Sequence, residues 1–164
     1  MEPTDTPYGP DHAQRVLNRL DPTIQVKHFG VTTFTSQDAA DAIGCELGQI
    51  AKSLCLFADG RPFVVVMSGD RRVSDAKLAQ RFQVGRKKIK IAKHDECVRV
   101  FGYEPGGVSP VGHRTAGIPI LIDESLRRWD AIWATAGSSH DNFMITFDQL
   151  RRITDGEVID CAKL

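Results

Sequence analysis

The chain has 164 residues, 41% of them apolar, which suits one domain of ordinary size with a core that needs no staples. Lysine plus arginine and aspartate plus glutamate stand at 21 each, so the bulk charge gives no hint of nucleic acid and any electrostatic site must be local. The four cysteines, Cys45, Cys55, Cys97 and Cys161, form no C-x-x-C and sit inside apolar periodic segments, which reads as buried free thiols in a reducing cytoplasm. No apolar run is long enough to span a bilayer. Met1 to Asp11 is rich in Pro, Thr and Asp, lacks the apolar segment of a signal peptide or anchor, and is expected to be flexible.

Asp11 to Leu20 carries Ala13, Val16, Leu17 and Leu20 at the spacing of one helical face, and Pro22 stops it. Ile24 to Phe29 reads as a short strand. Ser36 is expected to cap a second helix with Ala39, Ala40, Ile43 and Leu47 inward, closed by Gly44 and Gly48. Ile50 to Ala58 and Pro62 to Ser68 are apolar runs joined by Asp59-Gly60, which predicts a central antiparallel hairpin. Alternation places Ile50, Lys52, Leu54 and Leu56 on one face and Ala51, Ser53, Cys55 and Phe57 on the other. Lys52 interrupts a strand that is otherwise apolar on both faces, so it must snorkel to solvent, find a carboxylate or bind something.

Ser74 is expected to cap a helix through Leu78, Ala79 and Phe82, which also accounts for Ser74-Asp75-Ala76-Lys77 without a Ser-Lys hydrolase, whose companion motifs are missing. Ile89 and Ile91 alternate with Lys88 and Lys90 in a short strand. With Arg86, Lys87 and Lys93 this is the most basic local segment, fit for a phosphate backbone or for plain solvation. A helix-like stretch from Asp95 to Phe101 leads to Glu104-Pro-Gly-Gly-Val-Ser-Pro-Val-Gly112, where five of nine residues are Gly or Pro. Such a loop either makes two tight turns or offers backbone N–H groups to an anion or a polarised carbonyl. Strands are expected at Ile118 to Asp123, Trp129 to Thr135, around Phe143 to Phe147, and at Glu157 to Cys161. A turn of helix follows Asp123, a small-residue turn lies at Ala136 to Ser139, and Thr146 to Gln149 has the form of a capping box. About seven strands among four or five short helices make a single mixed α/β (α+β) domain over residues 1–164.

The five histidines, His12, His28, His94, His113 and His140, have no partner at metal-ligand spacing, so no metal is expected. A P-loop, a G-x-G-x-x-G fingerprint and a G-x-S-x-G elbow are all absent, which removes nucleotide hydrolysis and dinucleotide chemistry and leaves no cofactor. What survives is a strand lysine, a loop of exposed amides and a second small-residue turn.

Ala51-Lys52-Ser53-Leu54, then Gly106-Gly107-Val108-Ser109-Pro110-Val111-Gly112, then Ala136-Gly137-Ser138 with Phe143 to Leu150 leading into the last helix, together resemble the YbaK/prolyl-tRNA-synthetase-associated editing-domain family. The likeness runs from about Ser36 to the C-terminus. It implies a largely antiparallel mixed sheet with helices packed around it, and hydrolysis of mischarged aminoacyl-tRNA, most often tRNA for proline carrying a small amino acid. It implies that Lys52 binds the tRNA 3′ end and that Gly106 and Gly107 meet the aminoacyl carbonyl, with Ser109 and Gly112 shaping that substrate-binding loop. Gly137 and Ser138 would supply a second turn at the substrate, and His140 either faces the amino-acid pocket or is a surface histidine. No side chain is an obvious general base, and the resemblance implies that the substrate's own ribose hydroxyl activates or places the water. The implied partners are the acceptor end of aminoacyl-tRNA and, optionally, a synthetase, with no membrane and no DNA. Two other readings stay open: a non-catalytic tRNA- or synthetase-binding module of the same fold, and a small-molecule phosphate-binding protein.

Overall fold

The computed structural model describes residues 6–30 and 35–164. Helix α1 spans Pro10–Leu20, with Pro10 in the first turn, where a missing N–H costs nothing, and it buries Ala13 and Leu17. The stretch before it departs from expectation. Tyr8 donates its N–H to Gly102 O at 2.7 Å, and its ring stacks on His12 with centroids 3.6 Å apart. Thr6 to Asp11 is therefore tied to the domain, while residues 1–5 lie outside the described residues. Helix α2, Ser36–Ile43, is capped one residue earlier than expected: the Thr35 hydroxyl accepts from Asp38 N at 3.0 Å, and the Asp38 carboxylate accepts from Thr35 N at 3.3 Å. This reciprocal box satisfies two orphan donors, whereas Ser36 already lies in the helix. Gly44, at φ +84°, ends it, and Gly48 instead falls in a separate 3₁₀ turn, Leu47–Gln49.

Strands β1 (Lys27–His28), β2 (Ile50–Ala58), β3 (Arg61–Ser68), β4 (Ile89–Ile91), β5 (Ile120–Asp123), β6 (Ile132–Thr135), β7 (Asp141–Ile145) and β8 (Glu157–Ile159) form one sheet in the order β1-β7-β6-β2-β3-β5-β8, with β4 also on β2. Asp59 and Gly60 both have positive φ, 49° and 81°, the backbone a two-residue hairpin requires, and the β2–β3 ladder runs in register from Ala51↔Ser68 to Ala58↔Arg61. Four pairings are antiparallel and three, β2–β6, β3–β5 and β5–β8, are parallel. The strands expected at Ile24, Ile118, Trp129 and Glu157 are shorter than their apolar runs. Pro119, for one, cannot donate to a ladder, although its carbonyl accepts from Val64 N at 2.9 Å.

Helices α3 (Asp75–Phe82), α4 (His94–Glu96, continuing as π-helical Cys97–Phe101) and α5 (Phe147–Thr154) complete the fold. Ser74 caps α3 by accepting from Lys77 N at 3.2 Å, as expected, and Lys77 Nζ is spent on Asp160 and Ala162 O. The predicted alternation on β2 holds: Ala51 and Cys55 enter one core with Val64, Phe101, Val108 and Phe143, while Leu56 and Ala58 enter the other with Phe63, Val65 and Leu78. One consequence of the topology positions the site. On the edge of β2 away from β3, β6 covers Ile50 and Ala51 and β4 covers Leu56 to Ala58, so residues 52–54 face no strand there among the described residues.

Candidate active site

That break in the sheet holds a small cleft, with a cavity volume of about 90 Å³, bounded by Thr35, Ser36, Ala39, Ile50, Lys52, Ser53, Gly106, Val108 and Thr135. Lys52 and the Gly-rich loop, 54 residues apart in sequence at Gly106, therefore meet. Two larger hollows, about 650 Å³ beside Phe82 and Pro119 and about 870 Å³ between Arg72 and Arg127, contain neither.

The Lys52 side chain is half-buried and has no hydrogen bond or ion pair among the described residues. Burial holds its pKa below the ordinary lysine value, the Arg72 cation pushes the same way, and Asp70 opposes them. Asp70 is not a free counter-ion. Arg128 grips it through Nη1 at 3.0 Å and Nη2 at 2.7 Å, and that bidentate contact draws the Asp70 carboxyl down to about 2. A desolvated cation with no carboxylate of its own is poised for an anionic or electron-rich ligand.

Opposite it, Glu104-Pro-Gly-Gly107 forms a type II turn: Pro105 takes the first central position, Gly106 the second at φ +87°, and Gly107 N donates to Glu104 O at 2.9 Å. The turn corrects one expectation. Gly107's amide is consumed in closing it and is not available to a carbonyl, while its own oxygen accepts from Gly137 N at 2.9 Å. A Cβ on Gly107 would meet Gly137 C and O at 3.1 Å, so glycine is needed here for close approach of two backbones. Among the residues that border the cleft, Gly106 and Val108 have amides with no acceptor among the described residues. Ser53 adds a hydroxyl, since its Oγ is buried and has no hydrogen-bond partner among the described residues.

The remaining residues expected at the site form its frame. Ser109 is fully buried, its Oγ accepting from Val111 N at 3.4 Å and its carbonyl accepting from the His113 ring at 2.8 Å. A carbonyl can only accept, so His113 carries its proton on Nε2, and burial lowers its pKa to about 4, keeping the ring neutral. Gly112, at φ +79°, presents its carbonyl to His12 Nε2 at 2.9 Å and packs against Tyr103 Oη. Gly137, at φ +85°, holds Gly107 and abuts the Gly9 backbone. Ser138 Oγ donates to Asp141 Oδ2 at 2.5 Å and accepts from His140 N at 3.0 Å, and the His140 ring contacts Phe29 O at 3.2 Å and stacks with His28. Ser109, Gly112, Gly137, Ser138 and His140 are not among the residues that border the cleft, and the contacts they make anchor the loops around it. Cys55 lies in the core 3.7 Å from Cys97 Sγ, as its strand position predicts.

Ser53 and Val108 lie inside motifs that the sequence singles out and Thr135 lies beside one, yet none of them was expected at the site; Ser36 carried only a helix-cap signal and Thr35 none. Among the described residues no histidine, cysteine or carboxylate borders the cleft. It can bind an anion, polarise a carbonyl and exclude large groups by volume, but it offers no side-chain general base.

A sequence model of the aminoacyl-tRNA editing domain matches residues 31–153. The chain is 30% identical over 141 residues to the uncharacterised protein YwhH of Bacillus subtilis, covering 84% of this chain and 87% of that one. It is 26% identical over 132 residues to the proline–tRNA ligase of Coprothermobacter proteolyticus, covering 80% of this chain and 22% of the ligase, so it spans about a fifth of that relative. A solved structure described as a candidate trans-editing enzyme for prolyl-tRNA synthetase superposes at TM-score 0.88 with 27% identity, covering all of this chain and 99% of the other. A hypothetical protein superposes at TM-score 0.84 with 22% identity over 93% of this chain, a likeness of fold alone.

Proposed function

Because the chain belongs to the aminoacyl-tRNA editing domain family, we propose that it is a deacylase that hydrolyses the ester of mischarged tRNA, tRNA for proline carrying a small amino acid being its first candidate substrate. The observation that carries this reading is the meeting of a desolvated, unpaired Lys52 with the open amides of Gly106 and Val108 in one small cleft. The relatives named for prolyl-tRNA synthesis and its trans-editing support the choice of tRNA.

Water adds to the ester carbonyl carbon, and the oxygen that gains charge is received by the Gly106 and Val108 N–H groups. A single such donor is worth about 10²–10³ in rate. The tetrahedral intermediate then expels the ribose oxygen, which takes a proton, giving free amino acid and uncharged tRNA. Lys52 holds the terminal nucleotide through its phosphate or ribose, which converts binding into alignment of the reacting groups. No histidine or carboxylate borders the cleft among the described residues, and in this reading the ribose hydroxyl beside the ester places the water. Ala39, Ile50 and Val108 narrow the space for the amino-acid side chain, so selection works by exclusion, a stronger filter than preference for one methylene at about 1–3 kcal/mol. The work would be done in the reducing cytoplasm that four free cysteines suit.

The test is release of amino acid from a panel of correctly and incorrectly charged tRNAs. Rapid loss of alanine or another small residue, with proline retained, supports the reading. Stable esters across the whole panel together with measurable tRNA binding favour a non-catalytic module, and no response to tRNA removes the reading.

A further inference from the structure

The densest positive charge in the chain lies on β4 and the turns beside it, and the cleft makes no use of it. Arg86, Lys87, Lys88, Lys90 and Lys93 are all exposed. Among the described residues only Lys88 of these forms an ion pair, with Asp59 at 3.9 Å, while the Glu96 carboxylate accepts from the Lys93 backbone N–H at 2.9 Å. In their midst Ile91 is 75% exposed, a cost that solubility alone does not explain.

The register fixes where this ridge lies. Ile91 pairs with Leu56, and Ala92 N donates to Cys55 O at 2.9 Å, so continuing the ladder brings Lys93 opposite Leu54. Leu54 and Leu56 share the face of Lys52, two and four residues along β2. At roughly 3.3 Å per residue the ridge begins about 7 Å from Lys52 and passes Ile91 at about 13 Å. One strand of stacked nucleotides, at about 3.4 Å each, covers that span in about four residues. Both the cleft and β4 occupy the same edge of β2, so a chain leaving the cleft meets the ridge without crossing the sheet. Edge lysines also discourage strand-to-strand aggregation. That accounts for Lys90 but not for the bare Ile91, nor for Lys87 and Lys93 outside the strand.

We propose that the β4 ridge is the docking track for the single-stranded 3′ end of the RNA whose charged terminus enters the Lys52 cleft, with lysines 87 and 93 taking phosphates and Ile91 lying against a base, while Lys90, opposite Phe57, lies on the other face. The inference rests on the deacylase reading for the identity of that RNA.

Two measurements separate the ridge from the reading beneath it. The first is filter binding of uncharged tRNA by the full chain and by Lys87→Ala/Lys93→Ala over a range of salt. With about 0.7 counter-ions released per phosphate on a single strand, the variant's slope of log affinity against log salt is expected to be shallower by about 1.4. Its affinity near physiological salt is expected to be at least tenfold weaker, with Ile91→Ser weaker at an unchanged slope. The second is hydrolysis of aminoacyl-tRNA beside aminoacyl-adenosine, where the variant's loss in kcat/KM is expected to be at least tenfold greater on the long substrate. Equal affinity and equal slope overturn the track, as does a variant that merely aggregates while its soluble fraction binds RNA as before. If the parent hydrolyses neither ester, the deacylase reading fails, and the binding experiment still decides the ridge.

Discussion

Replacing Ser53 with alanine should move stability and activity in opposite directions. The Ser53 hydroxyl is buried on β2 beside Lys52 and has no hydrogen-bond partner among the described residues. An unsatisfied buried polar group costs about 1–3 kcal/mol, and deleting it recovers part of that, less the packing lost with one oxygen atom. A net gain of about 1 kcal/mol is expected. For 164 residues at about 2.1 cal/mol/K each, the unfolding entropy near the midpoint is about 340 cal/mol/K, so Tm should rise by about 3 °C. A substrate that satisfies the hydroxyl loses a neutral hydrogen bond of about 0.5–1.5 kcal/mol in the variant, which lowers kcat/KM by about twofold to thirteenfold. Calorimetry and single-turnover deacylation on the same preparation read both quantities. A Tm that falls by several degrees means the hydroxyl is satisfied in the native protein. Unchanged kcat/KM means it does not face the substrate, and either result refutes the reasoning.

Three further outcomes follow from the frame around the cleft. His113 has a folded pKa of about 4 against an ordinary 6.5, so the unfolded chain binds more protons between those values and stability falls as pH drops through that window, by at most about 3 kcal/mol. Urea titrations of His113→Gln, which keeps a donor for Ser109 O, should show a flatter profile from pH 6.5 to 4. Gly107→Ala puts a Cβ 3.1 Å from Gly137 C and O, forcing the two loops apart. It should cost about 1–3 kcal/mol and lower kcat, as chemical denaturation and rate measurements will show. Asp70, drawn down to about 2 by Arg128, lends stability above its ordinary 3.8 that is lost as pH falls toward 2. Because the pair is partly solvated, Asp70→Asn should destabilise by only about 1 kcal/mol at neutral pH, and by less in acid.

Much of the frame was legible because it is local. Asp59-Gly60 encodes its own backbone, Thr146 to Gln149 caps its own helix, and Lys52 stands out as the one charge in an apolar strand. Long-range pairing was not legible. The gap that makes the cleft exists because β6 reaches β2 in parallel only as far as Ala51 and β4 begins only at Leu56, and no residue in β2 announces either limit. Gly107 illustrates a second limit. Paired glycines signal an open loop, but which amide is spent depends on the turn type, and Pro105 with Gly106 at φ +87° commits the second glycine to Glu104. Ser53 failed for the opposite reason, since a serine on a strand is ordinary until the position of its hydroxyl is known. His140 belongs to a turn whose hydrogen bonds to Ser138 and Phe29 tie it to the end of β1.

The pairing of Lys52 with the loop amides is tested most directly by single-turnover hydrolysis of alanyl-tRNA for proline by the parent, Lys52→Ala and Lys52→Arg. A charged hydrogen bond of about 1.5–3 kcal/mol predicts a loss of about tenfold to a hundredfold for Lys52→Ala, with partial recovery for Lys52→Arg, whose charge is kept on a broader group. Hydrolysis by Lys52→Ala at the parent's rate would contradict the account.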